Sequence, residues 1–163
     1  MFVGVWAKSM LEKRLPSLTL TLFLFIWFSL LSTARAEIDK ELSLRLSQIQ
    51  RLAEGDDVDA QAYLGSIYLS GKGVTQDYII ALTYLKQAAE RGNANAQANL
   101  GTMYFNGEGV ARNYDLAVFW YKKSADQVND SGEQNLGTAY SFGMGVPQDL
   151  KEAAAWSRKS AEQ

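Results

Sequence analysis

An all-α solenoid, built from three helical hairpins stacked behind an N-terminal capping helix, is the fold this sequence predicts. Three observations carry that prediction. The run LGSIYLSGKGVTQD at Leu64 returns at Leu100 as LGTMYFNGEGVARN and at Leu136 as LGTAYSFGMGVPQD, a period of 36 residues, and a fixed period of this size marks stacked supersecondary units. Apolar residues recur at helical spacing in both halves of each unit. No stretch alternates with the period of two that a half-buried strand requires. A unit this small cannot bury its own apolar face, so neighbouring units must complete one another's core.

The chain opens with a targeting pattern. Lys8, Lys13 and Arg14 precede an apolar run from Leu18 to Leu31, interrupted only by Thr19, Thr21 and Ser29, and Ala34-Arg35-Ala36 follows. Residues 1–36 therefore read as a secretory signal peptide cleaved after Ala36, with an uncleaved anchor as the competing reading. The run falls short of the roughly 20 apolar residues that span a bilayer, so no stable membrane insertion is expected once the signal is removed. The remaining 127 residues suit one domain and carry twelve basic and seventeen acidic side chains, a net charge of −5. That balance argues against nucleic acid or anionic lipid as a partner. With no Cys in the chain, no disulfide supports an exported protein, which points to a bacterial periplasm or cell exterior.

Residues 37–58 form the predicted capping helix, because Ile38, Leu42, Leu46, Ile49 and Leu52 lie three or four apart. Three repeats follow at about 59–94, 95–130 and 131–163, giving seven helices in all. In the first repeat Ala60, Leu64, Ile67 and Tyr68 line one helix, and Ile79, Leu82, Tyr84, Leu85, Ala88 and Ala89 line the second. Phe119, Trp120, Tyr121 and Ala125, then Ala153, Trp156 and Ala161, are their later counterparts. Between the halves stand Gly71 and Gly73, Gly107 and Gly109, and Gly143 and Gly145; the first of each pair suits a left-handed helix cap and the second a sharp return. Asp77, Asn113 and Asp149 sit where a side-chain oxygen caps the second helix, and Glu152 is placed to complete a capping box with Asp149.

Gly65, Gly101 and Gly137 fall inside first helices, where each costs about 1 kcal/mol relative to Ala. A cost repeated at one register implies close approach of the paired helix, with Tyr68, Tyr104 and Tyr140 filling the space one turn later. The third copy departs at its start: Gly132 and Gln134 replace Ala96 and Ala98, and Val128 replaces Gly92. Irregular packing is expected from Asn129 to Gly132.

The pattern A-x-x-x-L-G-x-x-Y-x-x-G-x-G-V-x-x-D-x-x-x-A-x-x-Y/W-x-x-x-A/S-A, carried by Ala60 to Ala89, Ala96 to Ala125 and Leu136 to Ala161, resembles the Sel-one-like repeat (SLR) family, a relative of the tetratricopeptide repeat. That resemblance implies a right-handed superhelix of antiparallel helix pairs, used as a scaffold for protein contacts. Bacterial members resemble adaptors, regulators of envelope signalling or partners of secreted proteins, and some exported relatives resemble inhibitors of toxic enzymes. Cysteine-rich relatives that look like binders or hydrolases of β-lactams have paired cysteines, which this chain lacks, so that activity is not carried over.

By analogy with tetratricopeptide grooves, the concave face is expected to expose Ser66, Leu69 and Ser70, then Thr102, Phe105 and Asn106, then Thr138, Ser141 and Phe142, with Asn99 and Asn135 nearby. Uncharged polar groups around two Phe side chains suit an extended peptide or a partner helix; the competing expectation is that both Phe side chains tuck into the next repeat. Trp156, in the last helix, marks a second patch that is either partly bare or covered by Arg158, Lys159 and Glu162. Catalysis is not expected. With no His and no Cys, the commonest general base, the soft metal ligands and the thiol nucleophile are absent. Asp56, Asp57 and Asp59 lie at a helix start, where acidic side chains favour the helix dipole, and lack calcium-loop spacing. The sequence thus predicts an exported, non-catalytic interaction scaffold without cofactor or metal. An immunity-type inhibitor of a secreted toxin, and a cell-wall hydrolase or β-lactam-binding enzyme, are the alternatives.

Overall fold

The computed structural model describes residues 17–162, and among them are seven helices and no strand. They are α1 (Ser17–Glu54), α2 (Val58–Ser70), α3 (Tyr78–Glu90), α4 (Ala94–Asn106), α5 (Tyr114–Ala125), α6 (Asp130–Phe142) and α7 (Leu150–Ala161). Lys8, Lys13, Arg14 and Gln163 lie outside the described residues. The chain divides into two compact units, Met1–Arg45 and Leu46–Gln163. In the first, α1 exposes the large apolar side chains from Leu24 to Leu31, and it continues unbroken through Ala36. No described helix is long and apolar enough to cross a membrane.

The second unit is the repeat stack. α2 packs on α3, α4 on α5 and α6 on α7, so each repeat is one helical hairpin. α3 packs on α4 and α5 on α6 to join the hairpins, while the first helices α2, α4 and α6 also touch their successors directly. Leu64, Leu85, Leu100, Met103 and Leu136 are fully buried along the axis of this stack, with Ala81, Ala88 and Ala117 where helices close up. Leu46, Ile49 and Ala53, at the C-terminal end of α1, cover Ala60 and Leu64 of the first repeat. The capping contact is shorter than the periodicity suggests: Ile38, Leu42 and Leu52 are exposed. Ile79 and Phe119 also face solvent, because each lies on the outer side of its second helix.

Each helix of the stack starts on an Asp or Asn. Asp77, Asn113 and Asp149 accept hydrogen bonds from backbone N–H groups one turn on, at 2.8–3.1 Å. Asp57, Asn93 and Asn129 do the same for the first helices, receiving the N–H of Ala60, Ala96 and Gly132. The capping box at Asp149 forms only in half. The N–H of Glu152 bonds Asp149, but the N–H of Asp149 donates 3.0 Å to the carbonyl of Tyr140 and not to the Glu152 carboxylate. Asp77 and Asn113 donate likewise to Tyr68 and Tyr104, so the loop closes on the preceding helix in every repeat.

The junction into the third repeat is capped like the others but departs from them before the cap: α5 ends at Ala125, one residue short of the register at which α3 ends, and three turn residues follow instead of two. Ser124 stands where the first repeat has Ala88, and its hydroxyl donates to the Ala94 carbonyl at 2.8 Å. A methyl on Gly132 would lie 2.6 Å from the Ser124 Cβ, so the smaller residue on α6 makes room for the larger one on α5. Strain remains at one residue. Asp56, Gly92 and Val128 share a register just past a helix end, and all are left-handed, with φ of 65°, 96° and 58°. Asp tolerates this region, whereas a β-branched residue there is a true outlier costing roughly 1–3 kcal/mol. Val128 is exposed and gives up little packing when shortened. Val128→Gly is therefore expected to stabilise the fold by about 1 kcal/mol after the extra unfolded-state entropy of Gly, seen as a rise of roughly 3 °C in Tm by thermal circular dichroism. An unchanged or lower Tm would show that the strain is absent in solution.

Candidate functional site

The first helices build a continuous polar wall. The capping side chains that start them also link them: Asn93 Nδ2 donates to Asp59 Oδ1 and Asn129 Nδ2 to Asn95 Oδ1, both at 2.8 Å. An Asn at these two positions caps its own helix with oxygen and reaches back one repeat with nitrogen, which Asp cannot do. On the buried side, Gln61 and Gln97 donate to the carbonyls of Ala53 and Ala89, each at 3.1 Å. The glutamine row ties α2 and α4 to the end of the helix that precedes each, and the asparagine row links successive first helices.

Between them lies a groove of about 490 Å³, lined by Asp59, Ala62, Tyr63 and Ser66 of α2, by Asn93, by Asn95, Ala98 and Asn99 of α4, and by Ser131 of α6. It lies between the first two repeats and reaches the start of the third at Ser131. Small Ala62 and Ala98 leave the room, and the surrounding side chains are amides, hydroxyls, one carboxylate and one exposed phenol. A second recess of about 340 Å³ lies between the C-terminal end of α1 and the first repeat, among Gln50, Glu54, Tyr68, Thr83 and Tyr84. No group of three or more metal-ligating side chains occurs among the described residues.

Of the residues singled out in the sequence, Ser66 and Asn99 line the groove. Thr102 sits deeper, its Oγ1 facing both the Tyr121 hydroxyl and Asn135 Nδ2 at 3.4 Å. Burial pushes the Tyr121 hydroxyl pKa up; the hydrogen bond to Thr102 opposes the rise and the Glu108 charge adds to it. Leu69 and Phe105 turn inward: Leu69 packs against the core, and Phe105 meets Tyr114 edge-on at 5.1 Å. Phe142 remains 67% exposed, beyond the groove. Ser70 and Thr138 bond their own helix through the carbonyls of Ser66 and Gln134, and Asn106 reaches Glu108. Ser141 is half-buried, its carbonyl holding Gln148 Nε2 at 2.8 Å.

Trp156 is half-buried against the Leu136 cluster, with Lys159 4.8 Å above its ring, so it is not a bare patch. Tyr63, Asn93, Asn95 and Ser131 are groove residues that the sequence did not single out, and Asp59, read there as a helix-start acid, lines the groove as well. Register contained the signal: 59, 95 and 131 are one repeat apart, as are 63 and 99.

A model of the Sel1 repeat family matches residues 58–93, 94–129 and 131–163, together more than half of the chain. Among solved structures, c5321, a protective antigen present in uropathogenic Escherichia coli strains and displaying an SLR fold, is 41% identical with a TM-score of 0.70 over 75% of this chain. The chain spans only 26% of that protein's length. A Sel1 repeat protein from Oxalobacter formigenes is 35% identical with a TM-score of 0.67, the match covering 72% of this chain and 89% of the other. The cysteine-rich protein B of Helicobacter pylori shares the fold at 23% identity, with a TM-score of 0.58 over 76% of this chain and 89% of its own. No curated protein matches the chain. Repeats that match in register along the whole stack, and relatives whose helices superpose on it, place this chain in the Sel1 repeat family.

Proposed function

We propose that this chain is an exported, non-catalytic scaffold that binds an envelope or secreted protein partner through the groove of its first helices. The observation that carries the proposal is the groove itself. It lies between the first and second repeats and reaches Ser131 of the third, its walls are linked by the Asn93 and Asn129 amides, and it presents amides and hydroxyls, the Asp59 carboxylate and an exposed Tyr63. A preorganised wall of this kind loses little conformational entropy when an extended segment docks, which favours binding. Aromatic and amide side chains on such a wall suit main-chain recognition. The basic start, the apolar run from Leu18 to Leu31 and Ala34-Arg35-Ala36 support export. The protective-antigen role of the E. coli relative is consistent with a surface or secreted setting.

The test uses the full chain as bait for partners cross-linked in intact cells. Tyr63→Ala and Asn99→Ala are expected each to cut recovery of the partner at least fivefold, with unchanged helical circular dichroism, while Ile79→Ala on the outer side leaves recovery intact. Equal recovery with all three variants would remove the groove from the binding role.

A further inference from the structure

We infer that the groove holds an extended polypeptide segment by a cationic group, a Lys or Arg side chain or a free amino terminus, seated on Asp59 and Tyr63; this rests on the binding role proposed above. Charge distribution is the first ground. α2, α4 and α6 contain no Lys or Arg, and every basic residue from Leu46 onward lies on α1, on a second helix or in a loop. A carboxylate on the bound segment therefore meets no cation on the groove wall. A cation does meet a partner, because Asp59 is the acidic side chain of the lining and Asp130, exposed in the first turn of α6, is a second acidic group on the first helices.

The geometry at Asp59 is the second ground. Asp57 caps α2, and Asp59 in the same first turn favours the helix dipole while its carboxylate lines the groove. Asn93 donates to one oxygen of Asp59 at 2.8 Å. A carboxylate accepts about four hydrogen bonds, so Asn93 holds the group in place and leaves it able to bind. Tyr63 follows one turn later on the same face and is 56% exposed. A carboxylate beside an open ring offers a cation both a charge partner and a π face, an arrangement stronger than either alone.

The pair also occurs once. The later repeats carry Asn95 and Asn99, then Ser131 and Asn135, at the same two registers. Those neutral groups suit the main chain of the segment, while the single charged seat fixes its direction and register in the groove.

Random peptides displayed on phage and selected on the full chain, on Asp59→Asn and on Asn99→Ala test the inference. Asp59→Asn keeps the acceptor for Asn93 and removes only the charge. Selection on the parent is expected to enrich Lys or Arg at one fixed position or a free amino terminus, and the enriched peptide is expected to bind Asp59→Asn about tenfold more weakly. Replacing its cationic residue by Met should cost the same factor on the parent and nothing further on Asp59→Asn. Peptides weakened by Asn99→Ala but indifferent to Asp59→Asn would overturn the cation seat and leave the groove standing. No enrichment, or enriched peptides that Asn99→Ala does not weaken, would overturn both.

Discussion

Gly101→Ala is expected to destabilise the fold by about 2 kcal/mol, whereas Gly137→Ala, at the same register one repeat later, should be neutral or slightly stabilising. A methyl at position 101 would sit 2.6 Å from two ring carbons of Tyr121 and 3.1 Å from the Ala117 carbonyl. That ring cannot step aside: Tyr121 is buried, with Phe105 6.3 Å away and its hydroxyl on Thr102. Overpacking of this kind costs typically 1–3 kcal/mol, more than the roughly 1 kcal/mol that Ala returns in helix propensity. At position 137 the nearest atoms are the Ala153 carbonyl and the Ser157 hydroxyl, both 3.3 Å away, and a shift of a few tenths of an ångström accommodates the methyl.

Gly65→Ala should cost about as much as Gly101→Ala, since the methyl would lie 2.6 Å from Leu85 Cγ and 3.1 Å from its backbone N, and Leu85 is fully buried. Guanidinium denaturation of the full chain followed by circular dichroism measures the series. Equal midpoints for Gly101→Ala and Gly137→Ala would show that helix approach is not what holds glycine at 101.

Much of this fold was legible because the repeat states each requirement three times. A glycine inside a helix is ambiguous once, but three at one register point to a close contact, and Leu85 and Tyr121 supply it. The caps at Asp77, Asn113 and Asp149 were legible from local chemistry, since an Asx oxygen reaches only the next turn. The capping box was not, because the Tyr140 carbonyl that competes with Glu152 lies nine residues upstream. The candidate site was legible in part. Counting forward from each Leu-Gly pair led to the C-terminal half of the first helices, where Phe105 turns inward onto Tyr114. The groove lies at their N-terminal half, where Ala62 and Ala98 leave space. Comparing registers separates the two Phe residues: Leu69, Phe105 and Ser141 share a half-buried register, whereas Ser70, Asn106 and Phe142 share an exposed one. The role of Asn93 and Asn129 as links between repeats depends on a distance across the stack, which no local pattern encodes.

Lys159→Met is expected to cost about 2–3 kcal/mol, and Glu133→Gln in the same chain to restore most of that loss. Glu133 is 0% exposed and occupies the register at which Gln61 and Gln97 donate to the carbonyls of Ala53 and Ala89. A carboxylate has no N–H to give, and here it faces the Lys159 ammonium at 2.9 Å, which also lies over the Trp156 ring. An amide-to-carbonyl link has been exchanged for an ion pair between α6 and α7. Removing one member of a buried pair typically costs 3–5 kcal/mol, while neutralising the whole pair is often harmless. Lys159 is half exposed, which places its loss toward the lower end. Glu133→Gln supplies an amide where the earlier repeats use one to reach the end of the preceding helix, so alone it should leave stability within about 1 kcal/mol of the parent. Denaturant midpoints for the parent, both single variants and the double variant give the coupling directly, expected at about 2 kcal/mol. A double variant no more stable than Lys159→Met, or a Lys159→Met chain as stable as the parent, would mean that the ion pair does not hold the two helices of the last hairpin together.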